Sequence, residues 1–293
     1  MIIQYKCSNC NSKKNNLRRA YPFSTYFNNK KFFFLKCKDC KITSIYPKLN
    51  QQDINYLYDT GNYHNKFYSS LNVKENKITF NYLKSFLKKK DNVLDYGCGN
   101  GSLLKKLSSI TEKLHGVDTY SFSEYSKISK YKFNYLNYNN FFAENSTEFD
   151  IIILRDVTEH LNYPNQLIEK LIKMLAKNGF IYIEGPAEKG FSIVNLCIHL
   201  FSYAKNIFIN SNNFKPYHLN YYSLKTKLNY LSKLTNVRLF YFKTFETGWP
   251  YDNAGLLKNI ISKISKFIFF ILNSIFNKTN YGNRFIIILK NEK

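Results

Sequence analysis

Acidic residues are scarce in this chain of 293: 20 Asp and Glu stand against 43 Lys and Arg, a formal net charge of +23. Glycine (11), proline (6) and tryptophan (1) are also few, while lysine, asparagine, isoleucine, tyrosine and phenylalanine abound. An AT-rich genome gives that bias through its codons alone, and the lysines are spread along the whole chain. The charge therefore reads as a solvated surface rather than a dedicated polyanion groove. Also missing is a charged start followed by a long apolar stretch, since the chain opens Met1-Ile2-Ile3-Gln4-Tyr5-Lys6. The expectation is a cytoplasmic protein. The long apolar stretch Leu256 to Phe276 is interrupted by Lys258, Lys263 and Lys266, which argues against a membrane span. It reads as an amphipathic helix packed on the protein or on a second subunit. Peripheral contact with the inner face of a membrane is the alternative. Internal repeats are absent, and the length suits one large α/β domain with a small appendage.

Cysteine is used in a pattern. Cys7-x-x-Cys10 and Cys37-x-x-Cys40 form two pairs 26 residues apart, each able to sit on a tight knuckle and supply two thiolates to a tetrahedral zinc. The strand-like residues Phe32 to Lys36 between the pairs suit a hairpin. Disulfides are disfavoured in a cytoplasmic chain, so metal is preferred over bridges or unliganded thiols. Four thiolates would close the coordination shell and make the zinc structural. Cys98 and Cys197 read as small apolar fillers.

One run carries the most chemistry. Val93-Leu94-Asp95-Tyr96-Gly97-Cys98-Gly99-Asn100-Gly101 ends a buried strand on an acid and then turns through three glycines into a helix from Ser102 to Leu107. Such a turn needs glycines for positive φ angles and for close approach of a ligand, and the helix aims its free amides at that ligand. His115-Gly116-Val117-Asp118 follows as a short strand ending in an acid, a carboxylate placed to accept ribose hydroxyls. Phe149 to Leu154 is a continuous apolar run, as expected for a strand buried on both faces. It leads into Arg155-Asp156-Val157-Thr158-Glu159-His160-Leu161. An amphipathic helix comes next, with Leu167, Leu171, Met174 and Leu175 on one face. A turn at Asn178-Gly179 and a fifth strand, Phe180 to Glu184, complete the series.

The Asp-x-Gly-x-Gly-x-Gly turn, Asp118 and the Glu-His-Leu loop, in this order, resemble class I S-adenosylmethionine-dependent methyltransferases. The resemblance implies a Rossmann-like α/β fold with a seven-stranded sheet, here with a small N-terminal zinc ribbon of four cysteines. It implies that Asp95, Gly97, Gly99 and Gly101 hold the methionine end of S-adenosylmethionine and that Asp118 holds the ribose. Asn137 to Asn140 would flank the adenine, and Glu159 and His160 would lie near the cofactor.

The expected organisation is a ribbon (1–48), a helical tyrosine-rich linker (49–90) and a methyltransferase domain (91–293). That domain carries a substrate cap at 187–235 and the amphipathic helix at 256–278. The linker holds Tyr56, Tyr58, Tyr63, His64 and Tyr68, read as packing onto the core in preference to substrate contact. Within the cap, Tyr217-His218-Leu219-Asn220-Tyr221-Tyr222-Ser223 resembles a His-Leu-x-Tyr-Phe-Ser signature. That signature and the domain order are similar to bacterial nucleotide-sugar and polysaccharide-associated methyltransferases. This implies a small-molecule sugar acceptor in polysaccharide biosynthesis, with His218 as base and Tyr222 supporting an oxyanion. The alternative for His218 is capping or packing of a lid helix. The denser His-Glu-His cluster of carbon-methylating relatives is absent, leaving O-methylation at least equal to C-methylation. The competing reading is an RNA methyltransferase docking through the ribbon, favoured by Lys13, Lys14, Arg18 and Arg19.

Overall fold

Apolar runs buried on both faces make the centre of the molecule, seen here in a computed structural model that describes residues 6–12, 17–59, 71–118, 133–138, 140–144, 146–208, 215–249, 255–276 and 280–292. The N-terminal part holds strands β1 (Leu17–Phe27), β2 (Lys30–Cys37) and β3 (Thr43–Tyr46), then helices α1 (Gln51–Asp59) and α2 (Leu71–Lys84). The larger part alternates β4 (Asn92–Tyr96), α3 (Ser102–Leu107), β5 (Lys113–Asp118), β6 (Phe133–Asn137), α4 (Phe141–Glu144), β7 (Phe149–Arg155), α5 (Pro164–Lys173) and β8 (Leu175–Pro186). After β8 come α6 (Ile193–Phe208), β9 (Asn220–Tyr221), α7 (Leu224–Leu231), β10 (Val237–Phe245), α8 (Gly255–Phe276) and β11 (Arg284–Asn291).

Seven strands form one sheet in the order β10-β11-β8-β7-β4-β5-β6, in which only β11 runs against the rest. From β4 the chain goes to β5 on one side and later to β7 on the other. A crevice therefore opens at the carboxyl ends of β4 and β7, where doubly wound sheets bind ligands. Ile151 to Leu154 are buried at the centre, and Phe285 to Leu289 are buried equally well on β11.

Two local expectations need correction. The amphipathic helix α5 opens with Pro164 in its first turn and ends at Lys173, burying Leu167, Ile168, Leu171 and Ile172. Met174 is its C-cap and Leu175 already belongs to β8, because the sheet captures the chain there by pairing Phe149 with Leu175. The Asn178-Gly179 turn is an irregularity within β8 rather than a boundary, with Asn178 at φ 60°. A Cβ on Gly179 would lie 2.9 to 3.1 Å from the carbonyl oxygens of Ala176, Asp150 and Phe149, so only glycine fits that crossing.

The ribbon sheet has the order β1-β2-β3-β9, and its last strand comes from the cap. Asn220 explains how a two-residue strand is held. Its side-chain oxygen accepts from Ser8 and Ser44 hydroxyls at 2.8 Å each, and its amide donates to the Leu161 carbonyl at 2.6 Å. Helix α1 closes the other side: buried Asp53 accepts from Asn28 and Lys30 of the β1–β2 hairpin at 2.8 and 2.7 Å. Tyr63, His64 and Tyr68 of the expected linker lie outside the described residues, as do Lys13 and Lys14.

Helix α8 departs from the expectation that it packs on its own protein. Ser265 is its one buried residue, while Leu256, Leu257, Phe267, Phe270, Ile275 and Phe276 are more than half exposed. Exposed Leu196, Leu200 and Phe201 of α6, the helix it contacts, extend the apolar surface. Among the described residues no helix is long and apolar enough to cross a membrane.

Candidate active site and metal centre

At the carboxyl end of β4 the chain turns with Gly97, Gly99 and Gly101 at φ 82°, 51° and 64°. A Cβ on Gly97 would come within 2.4 Å of Val157 Cγ2, so the turn and the loop after β7 are pressed together. The Gly97 and Cys98 amides donate to the Val117 carbonyl at 2.7 and 3.1 Å, and the Gly99 amide donates to Asp118 Oδ2 at 2.8 Å. Those bonds bring the acids at the ends of β4 and β5 to one rim. Asp95 is buried, and desolvation pushes its carboxyl up to about 7. Arg155 opposes that rise and Asp118 adds to it. A buried acid held so high is a site short of positive charge.

These features fit the amino-acid and ribose ends of S-adenosylmethionine. Asp95 would answer the ammonium, the positive-φ glycines leave room for close approach, and Asp118 would accept the ribose hydroxyls. Part of the Asn137 to Asn140 segment lies outside the described residues.

The loop after β7 begins with Asp156 in the left-handed region at φ 53°. Arg284 Nη2 on β11 donates to both Asp156 oxygens at 2.8 and 3.0 Å and to Glu184 Oε1 at 2.9 Å. Burial works against the Asp156 charge, but Arg284 holds its carboxyl below the usual range. Glu184 also accepts from the Thr79 and Tyr182 hydroxyls at 2.7 Å each, which ties α2 to the same anchor.

A short 3-10 turn, Thr158–His160, then carries Glu159 and His160. The strand leading into β9 crosses over it, with the Leu219 amide donating to the Glu159 carbonyl at 2.7 Å and the Ile45 amide donating to the Leu219 carbonyl at 3.0 Å. This crossing brings His218 against His160, ring centroids 4.9 Å apart and planes at 77°. His218 Nδ1 meets Glu188 Oε1 at 2.7 Å. His160 Nδ1 meets the Tyr217 carbonyl at 2.8 Å and the Tyr58 hydroxyl at 2.9 Å.

Burial lowers the His160 imidazole to about 3, with the neighbouring His218 charge acting the same way. For His218, burial also works to lower the value. Glu188, then Glu159 and Asp156, overcome it and raise the ring to about 9. Glu159 is pushed up to about 8, mainly by desolvation and secondarily by Asp156. Both its carboxyl oxygens are buried without a hydrogen-bond partner among the described residues.

The sequence-predicted residues thus fall into two groups. Asp95, Gly97, Gly99, Gly101 and Asp118 meet at one rim, and Glu159, His160 and His218 form a second cluster after Val157, which presses on Gly97. Tyr222 stands apart from its predicted place beside the acceptor. It is buried, its hydroxyl has no partner among the described residues, and its ring lies 4.3 Å from Lys227 Nζ. Its phenol is held well above the usual range by burial, with Glu159, Cys7 and Cys40 adding to the effect.

Sequence reasoning missed Glu188, Arg284, Lys227 and the reach of Tyr58. Glu188 carried the one available signal, a carboxylate four residues past the acidic end of the fifth strand. Lys227 is fully buried, and its ammonium, lowered to about 7 by desolvation, has no hydrogen-bond partner among the described residues.

The four ribbon cysteines converge. Cys7 and Cys40 sulfurs are 3.6 Å apart and Cys10 and Cys37 sulfurs 3.7 Å apart, with all four within 4.8 Å of one another. Zinc with bonds of about 2.3 Å to four thiolates in a tetrahedron needs sulfurs about 3.8 Å apart, so the set fits. The two knuckles match: Asn11 N donates to Cys7 O and Lys41 N to Cys37 O at 3.1 Å each, with Asn11 and Lys41 at φ 58° and 65°.

Residues 73–232, more than half of the chain, match the "Methyltransferase domain" family model. The chain belongs to that methyltransferase family, and its strand order and glycine turn place it in the S-adenosylmethionine-dependent class I. It is similar to the ubiquinone biosynthesis O-methyltransferase of Pelagibacter ubique (strain HTCC1062), 28% identical over 118 residues, covering 38% of this chain and 49% of that protein. It is also similar to the mitochondrial ubiquinone biosynthesis O-methyltransferase of Dictyostelium discoideum, 33% identical over 109 residues, covering 31% and 34%. The chain therefore spans about half or less of the length of these curated relatives. Among solved structures it is similar to N-methyltransferase NodS from Bradyrhizobium japonicum WM9 in complex with S-adenosyl-L-homocysteine. That likeness has 13% identity and a TM-score of 0.48, covering 83% of this chain and 98% of that one.

Proposed function

We propose that this chain transfers a methyl group from S-adenosylmethionine to a hydroxyl of a small acceptor, with a sugar-bearing precursor as the favoured class. The observation that carries the reading is the meeting of Glu159, His160 and His218 beside the Val157 contact with the glycine turn. The bound cofactor supplies a methyl carbon already activated by its sulfonium, so the protein's task is to position both partners and dispose of one proton. Asp95 and the turn hold the amino-acid end, and Asp118 holds the ribose. Glu159 and His160 line the side facing the acceptor. His218, oriented by Glu188, meets the acceptor hydroxyl. Tyr222 backs this cluster as packing rather than touching the acceptor. The four-cysteine ribbon holds a structural zinc and, through β9, sets the position of His218.

O-methylation is favoured over C-methylation because one imidazole–carboxylate pair takes a hydroxyl proton more readily than a proton on carbon. The test is methyl-labelled S-adenosylmethionine incubated with the protein and with nucleotide-sugar, RNA, lipid and protein fractions of the source cell. Label in the nucleotide-sugar pool, lost in His218→Ala while S-adenosylhomocysteine still binds, is the expected result. Label confined to RNA would overturn it and make the basic ribbon a docking platform. Label confined to lipid would keep methyl transfer but replace the acceptor class.

The exposed α8 face, rimmed by Lys258, Lys263 and Lys266 and carrying no acid, fits an anionic lipid surface. Co-sedimentation with anionic but not neutral vesicles is expected. A concentration-dependent dimer without vesicle binding would assign the face to a second copy instead.

A further inference from the structure

We propose that Lys189 and Lys36 hold a phosphate group of the acceptor, in a site that the ribbon and the cap build together beside His218. The inference rests on the methyl-transfer reading and narrows its acceptor to a phosphate-bearing molecule.

Lys189 stands just past the end of β8, on the carboxyl side of the sheet where doubly wound folds receive ligands. Its neighbour Glu188 turns to His218 at 2.7 Å, so Lys189 is one residue from the partner of the proposed base. Tyr21 reaches it from the ribbon. The pairing of β1 with β2 is irregular between Arg19 and Ser24, and such a bulge re-aims the side chains it carries. Tyr21 lies within it, stacked on Phe23 at 5.0 Å and edge-on to Phe34 at 5.4 Å, which fixes its ring. Lys189 Nζ donates to the Tyr21 hydroxyl and lies 4.4 Å from the ring centre. That hydroxyl faces His199 Nδ1 at 3.5 Å, and His199 Nε2 donates to the Glu188 carbonyl at 3.0 Å. The ribbon, the loop after β8 and α6 thus orient one ammonium. It spends one proton on Tyr21 and has no other hydrogen-bond acceptor among the described residues.

Charge decides what this ammonium awaits. Burial lowers Lys189 to about 8; Glu188 opposes the fall and Lys36, on β2, adds to it. His199 is lowered as well, by burial and then by Lys189. Among the described residues one carboxylate, Glu188, acts on both, and it is already paired with His218. A single carboxylate among Lys189, Lys36 and His218 leaves an excess of positive charge in a half-buried corner. A phosphate carries about two negative charges and three acceptor oxygens, and lysines bind it as point charges. A carboxylate brings less charge and a neutral sugar none, so phosphate answers the excess best. A nucleoside diphosphate sugar and a lipid-linked sugar both offer that group. Exposed Leu196 and Leu200 lie on either side of His199 along α6, which gives a lipid chain a surface next to the site.

Calorimetry with inorganic pyrophosphate on the zinc-loaded full chain tests the site. Saturable binding of one pyrophosphate per chain is expected, weakened by at least about tenfold in Lys189→Gln. Lys177→Gln, which removes the same charge from an exposed position of β8, leaves it unchanged, and both variants bind S-adenosylhomocysteine as wild type does. Binding that does not saturate, or equal loss in the two variants, is the general attraction of a basic chain and overturns the inference. Uridine diphosphate and dodecyl phosphate distinguish the sources. Tighter binding than pyrophosphate by the first supports a nucleotide-borne phosphate, and by the second a lipid-borne one. Should Lys189→Gln unfold, wild-type protein decides: pyrophosphate must shift the ring NMR signals of His199 more than those of His115. The two levels stay separable. Labelled transfer to an acceptor without phosphate overturns the phosphate site alone. Failure to bind S-adenosylhomocysteine overturns the methyl-transfer reading, whatever pyrophosphate does.

Discussion

The two halves of the site are made in opposite ways. The proposed cofactor rim is local: Asp95 to Asp118 is one strand-turn-helix-strand unit, closed by hydrogen bonds from the Gly97, Cys98 and Gly99 amides to Val117 and Asp118. The acceptor side is assembled from segments far apart in the chain. His160 meets Tyr58 across 102 residues and Tyr217 across 57, and Arg284 reaches Asp156 across 128. A local unit keeps its geometry if distant parts fail, whereas an assembled one depends on every contributor. On the proposed reading the ribbon is part of the acceptor site, because β9 belongs to its sheet and His218 leads into that strand.

Stripping the proposed ribbon zinc should break the comparison most sharply. With Cys37→Ser or chelation, β3 and β9 lose their anchor and His218 its place, and misplacement of about 1 Å costs on the order of 100-fold in rate. The expectation is methyl transfer reduced by at least that factor while S-adenosylhomocysteine binds, by calorimetry, within a few-fold of wild type. Equal loss of both would show the halves to be one unit.

The cofactor side has its own signature in pH. The Asp95 carboxyl sits near 7 in the free protein, and an ammonium needs it ionised, so binding below that value must expel a proton. Affinity for S-adenosylhomocysteine should fall by about tenfold per pH unit below 7 and level off above it, and Asp95→Asn should flatten the profile. A flat wild-type profile would remove Asp95 from the ammonium's site.

A smaller effect sharpens the link between ribbon and core. Asn220→Ala removes the acceptor for Ser8 and Ser44 and the donor to Leu161. Loss of such a buried polar hub costs on the order of 1 to 3 kcal/mol. Urea denaturation should report that loss, with the rate for acceptor falling more than the affinity for S-adenosylhomocysteine.

This contrast also explains what the sequence disclosed. The glycine turn, Asp118, the buried run Phe149 to Leu154 and the paired cysteines announce themselves because spacing and local backbone chemistry dictate them. The α5 boundary is deceptive because Met174 and Leu175 continue the helical period, yet the sheet takes Leu175 first. Arg284 is silent, and Glu188 offers only its place just past the fifth strand, because nothing nearby in sequence says which distant charge each will meet. The pairing of β3 with β9 is silent for the same reason: two residues, Asn220 and Tyr221, carry no periodicity at all.

Arg284 has a consequence for the order of manufacture. It stands at the start of β11, the last strand described, which slots between β8 and β10 and brings the counter-charge for Asp156. During synthesis from the amino end, β8 presents a bare edge and the loop bearing Glu159 and His160 has no clamp until that strand arrives. The glycine rim is complete much earlier. On the proposed reading a nascent chain would hold cofactor before it can act on any acceptor, and the arrival of β11 would confer competence to react.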